Sequence, residues 1–166
     1  MIYPPEILDA LQVLAPSTWR GTVYRHVFAN RDPTMPNQSG ARWNPPDLAT
    51  LYCALQRDTA VAEGDHVVAV QGLRMKASRW IHSLDVEVRN VLDLTADDVL
   101  AGLGLPRVLR EADDHTACRT VGGAAAWLGH DAILVPSARH DGNNLVVFMA
   151  NLAPDAILEP LERTPG

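Results

Sequence analysis

The stretch that most restricts the fold is ANRDPTMPNQSGARWNPP, residues 29–46. Proline lacks the amide hydrogen and clashes with the preceding turn, so four prolines (Pro33, Pro36, Pro45 and Pro46) rule out a helix interior or a central strand here. Loops of this length are usually functional or mobile. This one also commits Arg42, Trp43 and Asn44 to a place where large side chains are hard to bury. It reads as a loop that holds something.

Its flanks set the rest of the pattern. TVYRHVF, residues 22–28, is β-branched and aromatic enough for a strand, and ATLYCAL, residues 49–55, reads as a buried one. Before them, Ile7, Leu8, Leu11 and Leu14 share one face of a short amphipathic helix. After them, Asp58 is expected to cap a helix over residues 59–70. IHSLDVEV alternates Leu84, Val86 and Val88 with Asp85 and Glu87, the period of a half-buried strand. TADD at Thr95 suggests a capping box for a short helix. HTACRTVGGAAAWLG forms a further helix, AILVPS a strand, NLVVFMA a strand after the turn DGNN, and AILEPL an edge strand. No repeat or linker interrupts the series, and helices and strands alternate without a βαβ period. The expected class is α+β, as one domain over residues 1–166.

Composition excludes several functions. With 166 residues, 47% hydrophobic and 20% charged, the chain can bury a real core. A net charge of -6 and singly scattered arginines argue against direct nucleic-acid binding. There is no run of eighteen apolar residues and no basic start followed by an apolar stretch, so no membrane association and a cytoplasmic protein are expected. Cys53 and Cys118 are too few for a disulfide scaffold or a zinc knuckle and read as small buried hydrophobes. Six histidines show neither HxxxH nor HxH spacing, so no metal is expected.

Candidate chemistry lies with polar residues at apolar positions. Glu63 shares a helix face with Ala60, Val67 and Val70, which makes it either a boundary residue or part of a site. Arg25 has the strand parity of Val23 and Val27 and therefore needs an anion, whether a core carboxylate or a ligand. Ser137 lies in VPSAR rather than a nucleophile elbow and reads equally as a turn serine. Tyr52 and Trp43 are compatible with plain core. GLGLPR at Gly102 lacks the strand-turn-helix context of a dinucleotide loop.

Taken in order, YRHVF, GARWN, LYCA, TAVAEGDHVV and ILVPSARHDGNNLVVF resemble the RES domain, named for an Arg, a Glu and a Ser. The motif core covers about residues 22–149. The resemblance implies a fold like that of ADP-ribosyltransferases, with two small mixed sheets around an NAD-binding cleft and flanking helices. It implies a bacterial toxin, silenced by an Xre-family helix-turn-helix antitoxin, that breaks the nicotinamide-ribose bond of NAD+. The acceptor stays open between phosphate, water and a protein side chain. A non-catalytic nucleotide- or antitoxin-binding module is the alternative, and self-association within the toxin-antitoxin complex is left open. Carried onto this chain, the catalytic set is Glu63, Arg25, Tyr52 and Ser137, and the NAD+-binding set is Arg25, Arg42, Tyr52, Ser137 and Asn144. Ala41 and Asp47 stand where the family commonly has glycine, and Gly64 and Asp65 where it has apolar residues.

These assignments fit the chemistry. Nicotinamide leaves as a neutral molecule, so no general acid is needed, and positive charge grows on the ribose. A preorganised carboxylate such as Glu63 stabilises that charge. Guanidinium groups at Arg25 and Arg42 suit the pyrophosphate. Tyr52 offers a ring face to nicotinamide, Ser137 a hydroxyl to a ribose or phosphate oxygen, and Trp43 an anchor that keeps Arg42 aimed.

Overall fold

The computed structural model describes residues 2–71 and 78–166. In chain order the elements are α1 (Pro5–Gln12), β1 (Ser17–Phe28), β2 (Thr50–Ala54), α2 (Arg57–Gln71), β3 (Arg79–Asp93), α3 (Asp97–Gly102), α4 (Arg107–Arg110), α5 (Thr116–Trp127), β4 (Ala132–Pro136), β5 (Asn143–Phe148) and β6 (Ile157–Pro165). The class is mixed α+β, and the strands form one hydrogen-bonded sheet in the order β1-β2-β5-β4-β3-β6. An added β1–β3 pairing closes five of them into a small barrel.

The two sheets implied by the family resemblance are therefore joined, and the reason lies in β3. Fifteen residues long, it pairs along one edge with β1 from Val91 to Arg79. Its other edge is divided between β6, against Trp80 to Glu87, and β4, the parallel partner of Val91 to Asp93. β1 meets β2 only at Tyr24↔Ala54. This narrow seam opens the barrel wall where the proline loop enters.

Strand alternation sorts the apolar residues between two cores. Val23, Leu51, Cys53, Leu84, Val86, Val88, Leu145 and Val147 fill the barrel, while Val146, Phe148, Val135 and Ile133 face outward against Leu11 and α5. Asp85 and Glu87 point outward, as the alternation requires, and Arg20 bridges to both. Cys53 and Cys118 are buried and unpaired, and burial pushes the Cys53 thiol up to about 12. Among the described residues, no helix is long and apolar enough to cross a membrane.

Three local expectations need correction. Asp58 lies inside the first turn of α2 rather than capping it. Val70 is 70% exposed, so the apolar face carrying Glu63 stops at Val67. No capping box forms at Thr95: its amide and hydroxyl both bond to Asp93 Oδ1, at 2.9 and 2.5 Å, and α3 starts at Asp97 after an uncapped Ala96. The nearer Asp93 carboxylate competes successfully for the threonine. The short helix α4 has no counterpart in the sequence reading.

Candidate active site

The RWN loop is held by main-chain contact, not by its prolines alone. Trp43 is 3% exposed and lies in the outer core beside Leu11 and α5. There α5 presents Gly122, where a Cβ would lie 1.9 Å from the Trp43 carbonyl oxygen, and Gly123, where one would lie 2.4 Å from Tyr3 Oη. The glycine pair lets the helix touch the loop backbone. Arg119 Nε donates to Ala41 O at 2.8 Å. Tyr52 Oη accepts the Trp43 N–H at 3.0 Å and donates to Asn44 Oδ1 at 2.6 Å. Asn44, fully buried, donates in turn to Leu48 O at 3.0 Å. Burial raises the Tyr52 phenol well above its ordinary range, so it stays protonated as a donor.

Glu63, Ser137 and Asn144 come together although they are far apart in sequence. Glu63 Oε1 accepts the Ser137 hydroxyl at 2.5 Å and Asn144 Nδ2 at 3.0 Å. Its Oε2 has no hydrogen-bond partner among the described residues. Ser137 follows β4, and its hydroxyl oxygen also accepts the Arg139 N–H at 3.1 Å. Asn144 sits in β5 between Ala54 of β2 and Val135 of β4, which fixes its position from both sides. Gly64 sets the approach of α2 to the barrel, because a Cβ there would lie 2.3 Å from the His26 ring. The carboxylate is thus aimed by one oxygen and open at the other.

This cluster borders a cleft of about 360 Å³, whose walls include Arg25, Arg42, Tyr52, Glu63 and Asn144. That volume suits part of a small-molecule ligand. Beside it lies a polar groove of about 930 Å³ that includes Ser137, and the two share Pro136, Ala138 and Arg139.

Both arginines already bond main-chain carbonyls, where the sequence pointed to an anion. Arg25 Nη1 donates to Pro33 O at 2.6 Å and Met35 O at 2.8 Å, so its partners are loop carbonyls and not a core carboxylate. Burial pulls the Arg25 guanidinium below its usual value, partly offset by Cys53 and Asp32. Arg42 Nη1 likewise donates to the carbonyls of Arg110 and Ala112, at 2.5 and 2.9 Å. Each arginine braces one wall of the cleft while lining it.

Sequence reasoning missed Gly122, Arg139 and His115 as parts of the site. The paired glycines inside an otherwise helical run were the available signal for close packing at α5. Nothing local marked His115, which joins the cleft through tertiary packing. Burial lowers the His115 pKa, and Arg42, Arg119 and Arg139 add to the effect, so this wall is electropositive. Among the described residues, no group of three His, Cys, Asp or Glu side chains is placed to hold a metal.

A sequence model of the RES domain matches residues 17–165. The chain belongs to the RES domain family. The NAD(+) phosphorylase MbcT of Mycobacterium tuberculosis and that of Mycobacterium bovis are each 32% identical to it over 137 residues, 78% of this chain and 73% of theirs. In the crystal structure of the M. tuberculosis MbcT-MbcA toxin-antitoxin complex, one chain superposes with a TM-score of 0.88 at 25% identity, covering 98% of this chain and 93% of that one.

Two departures from the RES pattern now have physical readings. Asp47 has φ 71°, the left-handed region that favours glycine and that a short polar side chain tolerates. Gly64, where the family has apolar residues, is matched here to the His26 ring, which a larger side chain would displace.

Proposed function

We propose that this RES protein is the toxin of a bacterial toxin-antitoxin pair and cleaves the nicotinamide-ribose bond of NAD+, with inorganic phosphate as acceptor. The observation that carries the reading is the Glu63 carboxylate, held on one oxygen by Ser137 and Asn144 and open on the other at the wall of a cleft. It is supported by the name of the MbcT relatives, NAD(+) phosphorylase. The remaining fold detail in this reading is an ADP-ribosyltransferase-like cleft, with the substrate lying across the barrel wall at the β1–β2 seam.

In this mechanism Glu63 Oε2 faces the ribose as it becomes cationic. Ser137 and Asn144 fix the carboxylate before reaction, so no reorganisation is needed at the transition state. Tyr52 closes the nicotinamide end with its ring while its hydroxyl holds the RWN loop. Arg25 and Arg42 supply positive charge to the pyrophosphate from both walls, using the guanidinium nitrogens not committed to carbonyls. The protein acts in the cytoplasm, where an Xre-type antitoxin silences it, and self-association within that complex belongs to the same reading.

Expression without an antitoxin tests this directly. Growth should stop as cellular NAD+ falls, and purified protein should release nicotinamide from NAD+. Growth arrest with undiminished NAD+ would refute the assignment.

A further inference from the structure

We propose that Arg139 binds the attacking inorganic phosphate at the mouth between the polar groove and the cleft, and so selects phosphate over water. This deepens the phosphorolysis reading above and rests on it.

Three observations converge on this residue. Of the side chains shared by groove and cleft, Pro136, Ala138 and Arg139, only Arg139 is charged. Its guanidinium has no hydrogen bond or ion pair among the described residues, whereas the other arginines of the groove are matched: Arg110 to Asp97 and Arg107 to Glu111, both at 2.8 Å. Its backbone is fixed to the reacting centre, because the Arg139 N–H bonds the same Ser137 hydroxyl that donates to Glu63. The loop behind it is closed by Ser137 N–H to Gly142 O at 2.8 Å and by the His140 Nδ1 to Thr59 Oγ1 contact at 2.9 Å.

The chemistry requires such a cation. A dianionic phosphate approaching a carboxylate is repelled, and water is not, so an enzyme that prefers phosphate must place positive charge beside Glu63 on the acceptor side. A planar guanidinium also binds two phosphate oxygens at once. A third phosphate oxygen then forms the bond to the ribose carbon as the carbon-nitrogen bond breaks. The electron pair of that bond leaves with nicotinamide, whose ring nitrogen becomes neutral. A hydrogenphosphate dianion keeps its own proton throughout, and the product is ADP-ribose phosphorylated at that carbon. Water as acceptor would instead have to lose a proton, giving ADP-ribose.

The test measures initial rates against NAD+ and phosphate separately and the ratio of the two products, for the parent, Arg139→Gln and Arg139→Lys. Expected for Arg139→Gln is a rise of about 10-fold or more in KM for phosphate, little change in KM for NAD+, and a product shift toward ADP-ribose. Arg139→Lys, which keeps the charge but not the fork, should fall between. If Arg139→Gln does not fold, the phosphate KM and product ratio of Arg139→Lys decide. A raised KM for NAD+ with unchanged phosphate KM would assign the guanidinium to the pyrophosphate and overturn the proposal, as would an unchanged product ratio. Parent protein that yields only ADP-ribose at every phosphate concentration would remove phosphorolysis itself, and parent protein that leaves NAD+ intact would remove the functional reading as a whole.

Discussion

Replacing Gly122 by alanine should damage the site indirectly, through the backbone of the RWN loop. The added Cβ would lie 1.9 Å from the Trp43 carbonyl oxygen, and real Cβ contacts essentially never fall below 3.0 Å. Loop and helix must therefore separate by about 1 Å. The obstructing atom is main chain, so no rotamer change relieves it. Overpacking of this kind costs about 1–3 kcal/mol, and straining the Trp43 N–H to Tyr52 bond adds about 1 kcal/mol. For a chain of this size, a total of about 2–4 kcal/mol lowers Tm by about 5–15 °C. Because Arg42 is the preceding residue, a shift of about 1 Å should also reduce NAD+ cleavage, on the order of 100-fold. Gly102→Ala is the control: nothing lies within 4 Å of its Cβ, so Tm should hold or rise slightly. Calorimetry and an NAD+ turnover assay on both variants check this. Gly122→Ala with the parent's Tm and turnover would refute the close-contact account of the loop.

Ser137→Ala and Asn144→Ala each leave Glu63 with one donor, and each should lower kcat about 10- to 100-fold with Tm nearly unchanged; parental kcat in steady-state assays would mean that neither bond orients the carboxylate. Arg42→Lys removes the Nη1 that donates to the carbonyls of Arg110 and Ala112 and the guanidinium nitrogens left over for phosphate, so Tm should fall by about 2–4 °C and KM for NAD+ should rise, both measurable on the purified variant. His26, His82, His115 and His130 all have lowered folded pKa values, first through burial, so the unfolded chain takes up protons earlier as pH falls. Stability should therefore be full above about pH 6.5 and decline as pH drops through the folded values, and a Tm that stays flat from pH 7.5 to 5.5 would contradict this.

Much of the molecule was legible because its signals are local. The alternation of Leu84, Val86 and Val88 with Asp85 and Glu87 appears in the structure as written in the sequence. Glu63, Ser137 and Asn144 stood out as polar residues in apolar surroundings or in motif positions, and they meet. What stayed hidden depends on distant partners. The length of β3 and its two-partner edge decide that there is one closed sheet, and no window of sequence reports that. The arginines were expected to meet an anion, a core carboxylate or a phosphate, because guanidinium-carbonyl bonds leave no trace in sequence, so the bracing of the proline loop by Arg25 and of the α4 wall by Arg42 could not be seen. Thr95 had acidic neighbours on both sides in sequence, and only backbone geometry chose Asp93.

The most direct test of the central claim is NAD+ cleavage by purified Glu63→Gln protein beside the parent, with products resolved by mass spectrometry. Glutamine keeps an oxygen to accept from Ser137 and Asn144 but carries no charge to stabilise the ribose, so the rate should fall on the order of 100-fold or more at an unchanged Tm. A Glu63→Gln variant that cleaves NAD+ as fast as the parent would contradict the account.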